Sequence, residues 1–224
     1  MNSTKSEEIS GIITKTGTLT LGIVCKDGII LAADRRTSYG SPSGGVSYLA
    51  GKMKKIVEIN DRLIATIAGT ASDAVKTLQI AKAELRLKEL KTREKVSVQE
   101  AASLLANMAY QAIRIPSMIP NIAHFLLTGY DDSGVHLFDV SPDGLLKEET
   151  SYVASGAGIM QAHPILDSEY RSGMLLEEGK KLALKCIKAS MGRDPSVGEG
   201  VDIYTIKKGE VKQILEQEAQ TEFK

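Results

Sequence analysis

The chain has 224 residues, 42% hydrophobic and 25% charged, an ordinary globular composition with enough length to bury a core. Its 28 basic residues balance 28 acidic ones, so charge gives no reason to expect nucleic acid or an anionic membrane surface as partner. Cys25 and Cys186 are too few for a disulfide framework and sit in apolar contexts that suit buried thiols in a reducing, cytoplasmic compartment.

No apolar run reaches the length of a membrane span, and the opening MNSTKSEEIS is too polar for a signal peptide. Residues 1–17 read either as a floppy terminus or as a removable leader that ends at Gly17. The next stretch, GTLTLGIVCKDGIILAADRR at 17–36, reads as a hairpin turning at Lys26-Asp27-Gly28. Its first strand carries Leu19, Leu21, Ile23 and Cys25 on one face, with Thr18 on the parity of the more polar face. The return strand is apolar from Gly28 to its end at Asp34, which implies cover on both faces. A carboxylate at such a strand end is costly to bury unless a cation meets it. Residues 37–51, rich in Gly and Ser, read as a long loop. A second hairpin spans Lys54 to Ala68 with its turn at Asn60-Asp61, and it places Lys55 on the face of Val57 and Ile59, an unusual position for a lysine.

Two helices follow. The first is capped by Thr70 or Ser72 and runs on Val75, Leu78 and Leu85 to about Lys91; Lys88 to Lys95 reads as its solvated end and a turn. The second opens at the capping box Ser97-Val98-Gln99-Glu100 and runs to about Ile115, with Pro116 and Pro120 at the exit. Strands are expected at about 123–130 and 135–141 around Asp131–Gly134, with a short one after Pro142-Asp143-Gly144 and another at 151–155. A helix then runs from Gly156-Ala157-Gly158 to about Tyr170 and a last one over about 175–191; strands at 201–207 and 210–215 close the chain before a polar, frayed tail. Helix pairs between runs of strands indicate an α+β fold, two stacked antiparallel sheets with a helical layer outside each, a four-layer αββα sandwich in one domain.

Several chemistries are poorly supported. There is no GxSxG elbow, and His124, His136 and His163 have neither an evident serine or cysteine partner nor metal-ligand spacing. Gly156-Ala157-Gly158 lacks the third glycine of a phosphate loop, and a tight strand-to-helix turn explains it as well. What remains is Thr18, Asp34, Lys55 and Gly69. An N-terminal threonine can supply both nucleophile and base, because its α-amino group has a pKa near ~7.7–8.0. A lysine beside it would depress the threonine's pKa values, an aspartate would hold that lysine, and the Gly69 amide ahead of a helix could face a developing oxyanion.

Residues 17–36 resemble the N-terminal signature of proteasome β-subunits, in which a Gly-Thr bond is autolysed to expose the threonine. The resemblance continues through Lys54-Lys55-Ile56, TIAGTASDA at 66–74, LLTGYDDSG at 126–134, VASGAG at 153–158 and RDPSVGEGVD at 193–202, most like an archaeal subunit of the 20S proteasome. It implies the N-terminal nucleophile hydrolase fold, a propeptide at 1–17, a hydrolase domain at 18–215 and a tail at 216–224. It also implies threonine endopeptidase activity on unfolded proteins, autocleavage at Gly17-Thr18, and no cofactor or metal. By resemblance Thr18 is the nucleophile, Asp34 the partner of Lys55, Gly69 the oxyanion-hole glycine and Asp194 the aspartate near the threonine amine. Thr37, Met53, Val57, Ile67, Ala71 and Val75 line the pocket before the cut, which implies cleavage after apolar residues, and the Ser38 backbone pairs with extended substrate. The implied partners are other β-subunits and α-subunits in stacked seven-membered rings and an ATPase regulator, with no nucleic acid or membrane.

Three departures bear on activity. Ala157 and Val197 stand where the active pattern has serines that order the threonine amine, and the loop between Asp34 and Lys55 is longer than usual. The alternative to an active peptidase is therefore a catalytically weak or inactive structural β-subunit of the same ring.

Overall fold

The computed structural model describes residues 14–39, 48–117 and 121–219. Among them are 14 strands and four helices. The strands are β1 Thr14–Thr16, β2 Thr20–Cys25, β3 Gly28–Asp34, β4 Arg36–Tyr39, β5 Tyr48–Lys52, β6 Ile56–Glu58, β7 Leu63–Thr66, β8 Ala68–Thr70, β9 Ala123–Tyr130, β10 Val135–Val140, β11 Leu146–Glu148, β12 Tyr152–Ser155, β13 Gly200–Lys207 and β14 Glu210–Glu218. The helices are α1 Ala71–Thr92, α2 Val98–Arg114, α3 Ile159–Glu169 and α4 Leu176–Met191.

A five-stranded antiparallel sheet has the order β12-β2-β3-β13-β14, and a nine-stranded sheet runs β11-β10-β9-β8-β1-β4-β5 with β7 on β9 and β6 on β7. The first hairpin has the expected register, Cys25 opposite Gly28 and Leu21 opposite Ala32. β3 is buried on both faces, as its unbroken apolar run implied. Ile30 and Ala32 join Leu19, Leu21 and Ile23 in a cluster with Ala162, Leu166, Leu182 and Cys186 of α3 and α4. Ile29 and Leu31 point the other way, into a cluster with Ile64, Leu126 and Leu137 of the larger sheet. A third cluster joins Ile67, Phe125 and Leu127 to Leu78 and Leu85 of α1 and Leu105 of α2. β3, with its period of two, thus feeds two apolar layers, which is what a strand covered on both sides requires.

The helix signals held. Ser97 forms the full capping box: its hydroxyl accepts from the Glu100 N–H at 3.2 Å, and Glu100 Oε2 accepts from the Ser97 N–H at 2.8 Å. Thr70 occupies the N-cap of α1, though without a side-chain cap bond, and Arg93 ends that helix at φ 60. The turn Asp131–Gly134 joins β9 and β10, and Asp131 Oδ2 also accepts from the Val98 N–H at the start of α2 (2.9 Å).

Four expectations need correction. Residues 37–51 are not all loop: β4 and β5 pair as a hairpin, with Thr37 opposite Gly51, while the central 40–47 lies outside the described residues. Ala68 does not end the second hairpin; it opens β8, a separate strand that pairs with β1 and β9. The tail does not fray at Glu216, because β14 continues to Glu218, opposite Gly200. Its last turns are pinned by charge: Arg35, 5% exposed, pairs with Asp202 at 2.5 Å and Glu216 at 2.8 Å, and Lys54 reaches Glu216 at 2.9 Å. Finally, the segment before Gly17 is not wholly loose, since 14–16 form β1. Residues 1–13, Pro120 and the tail beyond 219 lie outside the described residues.

Both thiols are buried, Cys25 at 8% and Cys186 at 0% exposure, and desolvation pushes both pKa values up to about 12. Neither should react with a thiol reagent at pH 7 in the folded chain, whereas both should label after unfolding; mass spectrometry of the labelled protein checks this.

Candidate active site

The two sheets bring together residues that are far apart in sequence. Asp34 ends β3 and is fully buried, as is Lys55, which lies just before β6. Lys55 Nζ donates to Asp34 Oδ1 at 2.7 Å and to the Gly17 carbonyl oxygen at 2.9 Å. The lysine that shared parity with Val57 and Ile59 is therefore no surface residue. Its ammonium touches the carbonyl of the Gly17–Thr18 bond.

Asp34 is held from several sides. Besides Lys55, its carboxylate accepts from the N–H groups of Leu19 (2.9 Å), Arg36 (3.1 Å) and Gly198 (2.9 Å). Burial pushes the Asp34 pKa up and the Lys55 pKa down, and the ion pair opposes both shifts. The result is a dry, hydrogen-bonded pair with its positive end against a peptide carbonyl, an arrangement suited to polarising that carbonyl or stabilising negative charge beside it.

Thr18 is buried, and the turn at Gly156-Ala157-Gly158 wraps it. The Gly158 N–H donates to the Thr18 carbonyl at 3.1 Å. Gly156 has φ +97, and a Cβ there would lie 2.1 Å from the Thr18 oxygen, so only glycine fits. The near phosphate-loop pattern is thus a close-approach turn around the candidate nucleophile.

The backbone of 14–16 runs between β4 and β8 as a central strand. Lys15 stands opposite Ser38 on one side and Thr70 on the other, and Thr16 stands opposite Gly69. Residues 14–16 thus lie extended beside the backbone of Ser38 and Gly69, the positions that the resemblance assigns to substrate and oxyanion. Met53, Val57, Ile67 and Val75 share the core cluster beneath α1, Ala71 is buried at the start of that helix, and Thr37 donates its hydroxyl to the Gly51 carbonyl at 3.0 Å.

Asp194 lies in the turn between α4 and β13, where its Oδ1 accepts from the Ser196 N–H at 2.8 Å and the Ser196 hydroxyl at 2.5 Å. The two positions expected to hold serines differ in setting. Ala157 is exposed, whereas Val197 is 3% exposed within the core beneath α3 and α4. Ala157→Ser should therefore leave the thermal midpoint unchanged, within about 0.5 kcal/mol. Val197→Ser should lower it by the equivalent of about 2 kcal/mol, from lost methyl packing and a hydroxyl in apolar surroundings. Calorimetry of the two variants decides it.

Sequence reasoning missed the three backbone donors to Asp34, which no side-chain pattern encodes. It also passed over Ser196, whose one signal was its place in the Asp-Pro-Ser turn. Among the described residues no group of His, Cys, Asp and Glu is arranged to hold a metal, and no helix is long and apolar enough to cross a membrane.

Among the described residues, two antiparallel sheets, four helices and a buried lysine–aspartate pair beside a Gly-Thr bond define an α+β candidate hydrolase. The family model described as "Proteasome subunit" matches residues 14–206, and the chain belongs to that family. It is 36% identical over 207 residues to "Proteasome subunit beta" of Methanocaldococcus vulcanius, covering 92% of this chain and 88% of the relative. It is 38% identical over 190 residues to "Proteasome subunit beta 1" of Thermococcus kodakarensis, covering 85% and 88%. "Proteasome subunit beta" of Methanopyrus kandleri is 33% identical over 195 residues, covering 87% and 89%.

Proposed function

We propose that the chain is a β-subunit of a 20S proteasome and a threonine endopeptidase, made as a precursor that cuts its own Gly17–Thr18 bond. The observation that carries this reading is the buried Lys55 ammonium, shared between Asp34 and the Gly17 carbonyl. In the precursor the Thr18 hydroxyl attacks the Gly17 carbonyl carbon. The C–N bond breaks, the acyl group passes to the hydroxyl as an ester, and water hydrolyses that ester. The products are a leader carboxylate and a free Thr18 α-amine, which in the mature chain takes the proton of its own hydroxyl. Lys55 favours the alkoxide and Asp34 holds Lys55, while the Gly69 amide faces the oxyanion.

Loss of β1 frees the facing edges of β4 and β8, a slot into which an extended polypeptide can pair by strand addition. Thr37, Met53, Val57, Ile67, Ala71 and Val75 supply a mainly apolar pocket that favours cleavage after apolar residues, and Asp194 orders the amine. The three core clusters support the four-layer αββα arrangement of N-terminal nucleophile hydrolases. Assembly is with other β-subunits and with α-subunits in stacked rings, with unfolded proteins delivered by an ATPase. Activity is favoured over a purely structural role because a buried ion pair is expensive to desolvate, and ring packing alone has no use for it.

The test is the N-terminal residue of the chain in the assembled particle, together with cleavage of a short apolar peptide. A chain beginning at Thr18 and measurable cleavage are expected; an intact leader and no cleavage would overturn the proposal.

A further inference from the structure

Gly17 meets a hydroxyl-bearing residue to which the resemblance assigns no role. Ser196 packs directly on Gly17: a Cβ on residue 17 would lie 2.3 Å from Ser196 Cβ and 2.9 Å from its Oγ. Glycine is needed there because Ser196 fills the room a side chain would take. The Ser196 hydroxyl proton is committed to Asp194 Oδ1, and the same oxygen accepts the Ser196 N–H, so the carboxylate fixes both the backbone and the rotamer. An Oγ whose proton is engaged presents its lone pairs as an acceptor. Val197, at the position expected to hold a serine, turns instead into the core, where its Cγ2 lies 3.0 Å from a Cβ placed on Gly158.

We infer that Ser196 is the positioning residue for the Thr18 amine, taking the place of the hydroxyls absent at Ala157 and Val197. This rests on the proposed function. Once the leader has gone, Ser196 Oγ accepts one N–H of the amine, and the nitrogen lone pair is left facing the Thr18 hydroxyl. Asp194 orders the amine through the serine, a relay from carboxylate to hydroxyl to amine.

The inference has a pH signature. An ammonium donates a stronger hydrogen bond than a neutral amine, so Ser196 favours the protonated form and raises the amine's pKa. The charged groups around this site are Lys55 and Asp34 at the strand ends, Asp194 in the turn, and Arg36 paired with Glu199 beyond Gly198. Ser196→Ala leaves all of them in place, and Asp194 keeps the backbone N–H of residue 196.

The experiment compares assembled wild-type and Ser196→Ala particles on a short fluorogenic peptide ending in an apolar residue, across pH, with intact mass and thermal midpoint measured alongside. Turnover is expected to fall about tenfold, the rate equivalent of one lost hydrogen bond. KM should stay within about twofold, and the midpoint of the acid limb should move to lower pH. A wild-type particle that cleaves, with Ser196→Ala its equal in rate and profile, overturns this inference alone. A lower rate with an unmoved acid limb and a lowered thermal midpoint also overturns it, since that is a packing role. A wild-type particle with no cleavage overturns the proposed function and this inference with it.

Discussion

Replacing Lys55 by alanine should abolish peptide cleavage and leave the leader attached. The ammonium is the group that bridges the Gly17 carbonyl and the Asp34 carboxylate, and it does so with no solvent contact. Its loss removes the charge proposed to stabilise the alkoxide and leaves a buried carboxylate without its cation. Removing one partner of a buried pair commonly costs about 3–5 kcal/mol. Three backbone N–H groups still hold Asp34, which places the expected loss of stability near the lower end, about 3 kcal/mol. A lysine on the surface would instead change stability by no more than about 0.5 kcal/mol. The double variant Asp34→Asn plus Lys55→Met separates the two effects, because it removes both charges: much of the stability should return and none of the activity. Intact mass, peptide hydrolysis and thermal midpoints report the three quantities. Near-wild-type cleavage by the Lys55→Ala particle would refute the assigned role.

The second large effect concerns processing. The wild-type chain recovered from the particle should begin at Thr18, shorter by the seventeen residues Met1–Gly17. Thr18→Ala should keep the leader or lose only part of it to neighbouring subunits, and its peptide cleavage should fall by at least about a thousandfold, as nucleophile removal typically does. Among the described residues the segment before Gly17 contributes a three-residue strand between β4 and β8, so its retention should change stability little. In the proposed precursor that strand fills the slot proposed for substrate, so the uncut chain is expected to be inert on peptides. A Thr18→Ala chain trimmed cleanly at residue 18 would show that another protease removes the leader.

Local patterns determined a good part of this protein. Asp27-Gly28 between apolar runs placed the first hairpin in register, the uninterrupted run from Ile29 to Ala33 announced a strand buried on both faces, and Ser97 with Glu100 marked the start of α2. The parity of Lys55 with Val57 and Ile59 signalled that this lysine was not solvated, and the strand-end Asp34 called for a cation. These features are written within a few residues of one another, where alternation, turn conformations and caps act. No local pattern names the cation that Asp34 meets across 21 residues, which only the resemblance had pointed to, and tertiary structure alone decided that Leu19, Arg36 and Gly198 lend it their amides and that β14 runs on to Glu218 beside the ion pairs of Arg35. It likewise decided that Ser196 packs on Gly17 and that 14–16 pair as a central strand. A backbone amide carries no residue identity, and a three-residue strand has too few hydrogen bonds to declare itself. Both acquire a role only when sheet packing brings distant edges and strand ends together.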